Sequence, residues 1–204
     1  ISGTVRDAHD FIPDVIKSGA KAIIVEKDVA PADGVTYIKV NNSRLALAYM
    51  SAAYFDYPAS KLKTIGITGT KGKTTTTYMV KSILESAGIK TGLIGTIESV
   101  IGDKCVPAAN TTPESYRLQE LFKEMVDAGM EAVVMEVSSQ ALDQKRVEGC
   151  HFETAVFTNL TQDHLDYHKT MENYLAAKKR LFRMCKTAVI NNDKKPIASI
   201  IILA

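Results

Sequence analysis

A glycine-rich loop near the middle of the chain constrains the fold more than any other feature. The segment GITGTKGKTTTT (residues 66–77) follows a short β-branched run and leads into a helical pattern that ends at Gly88. A strand that passes through a glycine turn into a helix directs backbone N–H groups and the helix dipole at one point, which suits a polyphosphate. In such a loop Lys73 reaches the outer phosphates and the Thr74 hydroxyl binds Mg²⁺. The predicted ATP-binding residues are Gly69, Thr70, Lys71, Gly72, Lys73, Thr74 and Thr75.

The loop departs from the usual GxxxxGK[ST] spacing at one position. That spacing requires a first glycine at position 67, where this chain has Ile67. The match is therefore to a GTxGKT variant, in which Gly69 and Gly72 let the backbone approach the phosphates without a Cβ. The alternative is a plain glycine turn that carries a lysine in front of a helix. The strand and helix on either side favour the ATP site.

Strands alternate with helical patterns along most of the chain, which predicts an α/β fold. The predicted strands cover residues 22–25, 36–40, 64–68, 91–97, 132–137, 154–158 and 187–191. The predicted helices cover residues 43–55, 74–87, 113–129 (with Pro113 at the first helical position) and 172–182. Strands separated by helices of this length form parallel sheets with helices on both sides. We expect a P-loop, Rossmann-like parallel sheet, with a turn between two extended segments at Gly102-Asp103.

A change of pattern near residue 60 predicts a domain boundary. Tyr57-Pro58 ends the preceding helix, because the residue before a proline is disfavoured in helical geometry. Residues 56–61 therefore look like a linker between a smaller α/β part (residues 1–60) and the P-loop domain (residues 61–204). A length of 204 residues suits one to two domains of about 150 residues each.

Composition excludes several classes of partner. Lys and Arg total 25 against 23 Asp and Glu, a net charge of +2, so the concentrated basic face that nucleic acid requires is not expected. The last apolar stretch, residues 197–204, is far shorter than the roughly 20 residues of a membrane span, and the first residues do not resemble a signal peptide. Three isolated cysteines suit a reducing compartment. We expect a cytoplasmic monomer without nucleic-acid or membrane partners, and a fragment, since the chain starts at Ile1.

Further polar residues follow the predicted buried strands. Glu136, in AVVMEVSSQ, lies at the C-terminal end of a predicted buried strand, where an acid in a P-loop protein is placed to hold Mg²⁺; the alternative is a solvent-facing glutamate. His164 lies in TNLTQDHLDYH after the next strand, with either a role at the ATP site or a structural hydrogen bond. Lys178 lies in YLAAKKRLF, and by its pattern alone belongs to a solvated basic helix face.

Taken together, these segments resemble the Mur ligases of bacterial cell-wall synthesis. The similarity is closest to the branch that adds the third amino acid to UDP-N-acetylmuramoyl-L-alanyl-D-glutamate. It rests on GTKGKTT, NTTPES, MEVSSQAL, FTNLTQDHLDYH and YLAAKKRLF, in family order and spacing. Residues 1–60 then correspond to the later part of a UDP-binding first domain and residues 61–204 to part of the ATPase domain. The third, amino-acid-binding domain is expected to be absent, and the fragment alone inactive.

The resemblance implies a reaction and a set of roles. Members transfer the ATP γ-phosphate to the terminal carboxylate of the muramoyl dipeptide, and the amine of an incoming amino acid, diaminopimelate or lysine, displaces phosphate. Lys73, Lys178 and His164 would be catalytic. Thr74 and Glu136 would hold one Mg²⁺, and His164 and a carbamylated Lys178 would help to hold a second. The implied substrate-binding residues are Thr4, Val5, Arg6, Asn110, Thr111, Thr112, Ser138, Gln144 and Arg146.

Two alternatives remain open at the level of the sequence. A folylpolyglutamate synthase shares the fold and the phosphate loop, although NTTPES and the segment from MEVSSQ to Arg146 favour the muramoyl substrate. A nucleotide-binding module without ligase chemistry would bind MgATP and would not bind the muramoyl dipeptide.

Overall fold

The structure, a computed structural model, describes residues 7–191. The chain divides into two compact units, of which the first ends at Leu47 and the second begins at Ala48. The division falls within one helix, Ser43–Tyr54. Thr4, Val5 and Arg6, which the resemblance assigns to the UDP side of the substrate, lie outside the described residues.

The first unit contains a small parallel pair of strands. A 3-10 turn (Ala8–Phe11) and helix α1 (Ile12–Lys17) precede β1 (Ala22–Val25), which pairs with β2 (Thr36–Lys39). Helix α2 (Ser43–Tyr54) begins in this unit. Both strands lie within one residue of their predicted positions.

The second unit is built on a seven-stranded sheet. Its strands are β3 (Lys63–Thr68), β4 (Thr91–Ile94), β5 (Glu98–Ile101), β6 (Lys104–Pro107), β7 (Ala132–Glu136), β8 (Phe152–Phe157) and β9 (Cys185–Ile190). Their order is β6-β5-β4-β7-β3-β8-β9. The neighbours from β4 to β9 are parallel, as predicted, and β5 and β6 form an antiparallel hairpin at one edge. The hairpin turns at Gly102-Asp103, where the sequence predicts it.

The remaining helices connect these strands. They are α3 (Lys73–Ser86), α4 (Ser115–Asp127), α5 (Ser139–Asp143), α6 (Leu165–His168) and α7 (Met171–Lys179), with 3-10 turns over Pro58–Lys61 and Arg180–Arg183. Helix α3 packs against β3, β4 and β7. The apolar side of α4 buries Leu118, Phe122 and Met125 in the core that lies over β7. Of the helices in residues 7–191, none combines the length and apolar character that a bilayer crossing requires.

Several predicted boundaries differ from the structure by one to three residues, and two of them lie at the sheet edge where the site forms. The strand predicted to reach residue 97 ends at Ile94, because Gly95 and Thr96 turn toward the side chain of Glu136. The helix predicted to start at Pro113 starts at Ser115, and Glu114 with extended backbone takes the N-cap position. Pro113 therefore belongs to the preceding loop. Helices α5 and α6 are too short for their periodicity to be seen in the sequence.

Candidate nucleotide and substrate site

The glycine loop connects β3 to α3 and leaves the start of the helix open. Gly69 and Gly72 have φ angles of 147° and 83°, a region that favours glycine. Gly72 is the N-cap of α3 and provides no capping side chain. The first N–H groups of a helix have no intrahelical acceptor, so those of α3 are available to an anion. The local geometry is the one the sequence predicts.

The end of β8 holds the loop in place through two polar side chains. The Asn159 amide brackets Lys71: its Oδ1 accepts from the Lys71 N–H at 3.0 Å and its Nδ2 donates to the Lys71 carbonyl at 3.0 Å. The Thr158 hydroxyl donates to the same carbonyl at 2.7 Å, and the Thr70 N–H donates to the Asn159 carbonyl. Sequence reasoning assigned no role to Asn159. The FTN segment directly after a buried strand was the available signal.

Two lysines converge on one carbonyl of the loop. Lys73 Nζ donates to the Gly69 carbonyl at 3.0 Å and to the Thr70 carbonyl at 3.0 Å, and Lys178 Nζ donates to the Gly69 carbonyl at 2.9 Å. Burial lowers the pKa of Lys73, and the charges of Glu136 and Asp163 oppose that shift. Both ammonium groups therefore meet at the Gly69 carbonyl of the glycine loop.

Lys178 is not part of a solvated helix face, as its local pattern suggests, but is 1% exposed. Its ammonium lies 4.5 Å from the centroid of the Tyr174 ring. Burial, and secondarily the charge of Lys73, lower the pKa of Lys178 to about 7. The neighbouring Arg180 does face outward and pairs with Asp143 at 2.9 Å. Tertiary packing thus buries Lys178, although the basic run to which it belongs looks uniform in the sequence.

Glu136 provides a buried carboxylate beside the loop. It is 1% exposed at the end of β7, and its Oε2 accepts from the Thr74 hydroxyl at 3.0 Å and from the Thr96 hydroxyl at 3.1 Å. Its Oε1 accepts from the Thr96 N–H at 2.9 Å, and a Cβ on Gly95 would lie 2.6 Å from that oxygen. The solvent-facing alternative for Glu136 is therefore wrong. Thr96 and Gly95 were not singled out by the sequence.

The residues around Glu136 fit a magnesium ion. Buried charges in proteins are paired or bind metals, and Thr74 and Thr96 donate to this carboxylate only through neutral N–H and O–H groups. Mg²⁺ prefers oxygen ligands and is held by one or two carboxylates together with phosphates and water. Glu136 and the Thr74 hydroxyl supply such oxygens beside the phosphate loop. The described residues contain no group of three or more His, Cys, Asp or Glu side chains placed to hold a metal ion by themselves.

The two histidines of the DHLDYH segment have different environments. His164 has a left-handed backbone (φ 50°) and a side chain that is 43% exposed, with its ring centroid 6.1 Å from that of Tyr174. His168 is buried, and its Nε2 lies 2.9 Å from the Ser139 hydroxyl. Burial lowers the pKa of His168. His168 has the structural role, whereas His164 is open to solvent at the edge that carries the loop.

The implied substrate residues gather around Thr112. Its hydroxyl donates to the Glu136 carbonyl at 2.9 Å and accepts from the Ser138 N–H at 3.0 Å. Arg146 Nη1 donates to the Thr112 carbonyl at 3.0 Å. The Thr111 hydroxyl lies 3.1 Å from the Thr96 hydroxyl, which connects this loop to the carboxylate of Glu136.

Asn110, also in the NTTPES segment, lines a cavity of about 210 Å³ together with Pro113 and Arg117. The cavity lies between this segment, the β5–β6 hairpin and α4.

Arg146 already binds a carboxylate of its own chain. Its Nη2 lies 2.8 Å from Glu114 Oε1, and the side chains of Arg146 and Glu114 are 14% and 50% exposed. Its Nε and Nη2 also donate to Gln144 Oε1 at 3.1 and 2.7 Å. The structure therefore brings Thr112, Ser138, Gln144 and Arg146 together and shows that the guanidinium can hold a carboxylate.

Comparison with known proteins places this site in a family. Residues 67–203, more than half of the chain, match the Mur ligase middle domain. The chain belongs to the Mur ligase family. Its phosphate loop, Glu136 and the DHLDYH segment all fall inside the matched residues.

Two curated relatives of this Mur ligase chain are UDP-N-acetylmuramoyl-L-alanyl-D-glutamate–2,6-diaminopimelate ligases. That of Clostridium perfringens is 56% identical over 201 residues, covering 98% of this chain and 42% of the relative. That of Caldanaerobacter subterraneus subsp. tengcongensis is 50% identical over 196 residues, covering 96% of this chain and 41% of the relative. The chain thus spans about two fifths of their length.

Solved structures share the fold of this Mur ligase chain. A UDP-N-acetylmuramoyl-L-alanyl-D-glutamate–2,6-diaminopimelate ligase is 30% identical, with a TM-score of 0.80 over 95% of this chain and 39% of that chain. The MurF ligase of Thermotoga maritima in complex with ADP is 22% identical, with a TM-score of 0.59 over all of this chain and 44% of the MurF chain. E. coli FolC in complex with DHPP and ADP is 21% identical, with a TM-score of 0.57 over 80% of this chain and 45% of the FolC chain. The last two show a common fold alone.

Proposed function

We propose that this chain is the ATP-binding part of a ligase that adds the third amino acid to UDP-N-acetylmuramoyl-L-alanyl-D-glutamate. The observation that carries the proposal is the placement of two sites at one sheet edge. The phosphate loop, with Glu136 beside Thr74, lies next to the loop in which Thr112, Ser138 and Arg146 meet. A carboxylate held at Arg146 and a nucleotide held at Lys73 would share that edge. The relatives named for diaminopimelate favour it over lysine as the incoming amino acid.

The proposed reaction activates a carboxylate in two steps. A carboxylate oxygen of the D-glutamyl residue attacks the γ-phosphorus of ATP, the bond to the β-phosphate bridging oxygen breaks, and ADP leaves. The amine of diaminopimelate then attacks the acyl phosphate, inorganic phosphate departs, and the amine loses a proton to give the amide. The Lys73 ammonium would stabilise charge on the transferred phosphoryl group. Mg²⁺ held by Thr74 and Glu136 would neutralise charge on the phosphates when bound.

The domain assignment is part of this proposal. Residues 1–60 would be the later part of a UDP-binding domain, with Thr4, Val5 and Arg6 on the UDP side, and residues 61–204 the ATP-binding domain. The compact first unit, with its parallel strands β1 and β2, supports a separate domain before the sheet that carries the phosphate loop.

Calorimetric titration tests the proposed substrate class. The protein is titrated with UDP-N-acetylmuramoyl-L-alanyl-D-glutamate with and without MgATP, and with dihydropteroate in a parallel experiment. We expect the muramoyl dipeptide to bind and dihydropteroate not to bind. Binding of dihydropteroate would indicate a folylpolyglutamate synthase instead. Binding of MgATP by the full-length protein without either substrate would indicate a nucleotide-binding module.

Glu136→Gln is expected to weaken binding of MgATP by at least about tenfold, a loss that even outer-shell partners of a metal produce. Glutamine keeps the size of the side chain but removes the charge that Mg²⁺ requires. Binding of ATP in EDTA should stay unchanged, since no metal takes part. Glu131→Gln, at the exposed residue just before the same strand, is the control and should bind MgATP normally. Equal binding of MgATP by Glu136→Gln and the wild type would contradict the metal site.

We also propose that Lys178 is carbamylated and, with His164, helps to hold a second Mg²⁺. The ammonium would first lose a proton, and the resulting amine would add to CO₂ and release a second proton, which converts a cation into an anion. The support is its burial and its position: Lys178 shares the Gly69 carbonyl with Lys73, so a negative group there would replace repulsion by attraction.

Carbon-13 NMR in labelled bicarbonate should show a carbamate carbonyl signal from the wild-type protein. The signal should vanish in Lys178→Arg, because a guanidinium does not form the carbamate. Lys179→Arg, which changes the next residue, should retain it. A signal that persists in Lys178→Arg would place the carbamate elsewhere.

A further inference from the structure

We infer that Tyr167 is a positioning residue for Arg146 and acts on it through Gln144. The inference rests on the proposed function, which assigns Arg146 to the muramoyl dipeptide. Tyr167 lies in α6, in the segment that follows His164, and the sequence gives it no role. Its hydroxyl joins that segment to the guanidinium of Arg146 by two hydrogen bonds in series.

The contacts form a series of hydrogen bonds in which each donor and acceptor is defined. Arg146 Nε and Nη2 donate to Gln144 Oε1 at 3.1 and 2.7 Å. Gln144 Nε2 donates to the Tyr167 oxygen at 3.2 Å, and the Tyr167 hydroxyl donates to Asp143 Oδ2 at 3.0 Å. Arg180 Nη1 lies 2.9 Å from the other oxygen of Asp143. The series therefore runs from the Arg146 guanidinium through the Gln144 amide and the Tyr167 phenol to the carboxylate of Asp143. A second guanidinium, that of Arg180, holds this carboxylate.

The orientation of the Gln144 amide depends on the Tyr167 hydroxyl. A guanidinium has donors only, so the amide must present its oxygen to Arg146 and direct its NH₂ group elsewhere. The Tyr167 oxygen accepts from that NH₂ group because its own proton is donated to Asp143. Without the hydroxyl, the NH₂ group loses this acceptor in a partly buried place, which is costly. A rotated amide would present N–H groups to the guanidinium and release it.

The contacts of Arg146 divide into fixed and exchangeable ones. Gln144 and the Thr112 carbonyl hold the guanidinium from within the chain. Glu114 is the half-exposed carboxylate among its partners, and an incoming carboxylate of the substrate can take its place. The family resemblance assigns Gln144 to the substrate, but both its amide oxygen and its NH₂ group make hydrogen bonds within the protein. Tyr167 should therefore affect binding of the substrate carboxylate and leave the phosphate loop alone.

Steady-state kinetics of Tyr167→Phe in the full-length ligase test this inference. We expect the KM for UDP-N-acetylmuramoyl-L-alanyl-D-glutamate to rise about tenfold, the effect of one lost hydrogen bond and one unsatisfied amide. The KM for ATP and kcat should stay within about twofold of wild type, since Arg146 positions the dipeptide and not the nucleotide. A purely structural role would not separate the two KM values.

Tyr78→Phe is a matched control, because it also removes a tyrosine hydroxyl that donates to a carboxylate, Glu98 at 2.9 Å. Its KM for the dipeptide should equal that of the wild type. An unchanged dipeptide KM in Tyr167→Phe, or equal rises in both KM values, would overturn the inference.

Arg146→Lys separates this outcome from failure of the proposed function. If Arg146→Lys raises the dipeptide KM and Tyr167→Phe does not, the positioning role is wrong and the proposed function stands. If the wild-type protein does not use the dipeptide, the proposed function itself fails.

Discussion

Replacement of Lys73 by alanine is expected to weaken binding of MgATP by at least about 100-fold, which corresponds to about 3 kcal/mol. The ammonium of Lys73 is half-buried and lies at the start of α3, where it can reach phosphate oxygens in a water-poor place. The fold should persist. Burial lowers the pKa of Lys73, which means that the folded protein destabilises its charged form. The Gly69 carbonyl still accepts a hydrogen bond from Lys178 when the Lys73 side chain is removed.

Calorimetric titration with MgATP measures the loss, and thermal unfolding checks the fold. Lys81→Ala is the control: Lys81 lies two turns further along α3 and pairs with Glu85, so its loss removes a lysine without touching the loop. An unchanged affinity of Lys73→Ala for MgATP would remove the phosphate-loop assignment.

Gly69→Ala is expected to destabilise the protein by at least about 2 kcal/mol, the usual scale of overpacking, and to lower MgATP affinity by about 100-fold. A Cβ at Gly69 would lie 2.0 Å from the Thr158 hydroxyl and 3.1 Å from the backbone N and O of Asn159. The segment that follows β8 cannot yield without disturbing the hydrogen bonds that the Thr158 and Asn159 side chains make with Lys71. The loop must therefore move away from the position in which it can bind phosphates.

Gly72→Ala provides the comparison for stability. Gly72 also has a positive φ, but a Cβ there meets no atom within 4 Å. Its cost should be confined to backbone strain, about 1 kcal/mol. Denaturant unfolding of both variants measures the difference. Equal stability of Gly69→Ala and Gly72→Ala would show that contact with Thr158 does not fix the loop.

Local features of the site were predictable because their causes are local. The glycine loop requires a strand, two glycines and a helix start, all within residues 63–86, and the structure forms them there. Glu136 was predicted at the end of a buried strand because four apolar residues precede it, and in the structure all five positions of β7 are buried. Parallel strands bring their carboxyl ends to one edge, which also predicted that Glu136 would face the loop.

Other features depend on contacts between distant parts of the chain. The basic run at Lys178 looks solvated, yet Lys178 reaches the Gly69 carbonyl, 109 residues away in sequence. Asn159 binds Lys71 across 88 residues. Tyr167 meets Gln144 from a helix of four residues. No periodicity marks these residues, because each contact depends on where another segment has packed.

The sequence by itself determined the fold class, the family resemblance and the residues of the phosphate loop, because hydrophobic pattern and glycine spacing act over a few residues. Only the tertiary structure decided which side chains complete the site. The register of β4, β7, β3 and β8 sets Thr96, Glu136, Gly69 and Asn159 at one edge. The physical reason is burial: a charge such as Lys178 or Glu136 is kept inside only where packed neighbours supply its partners.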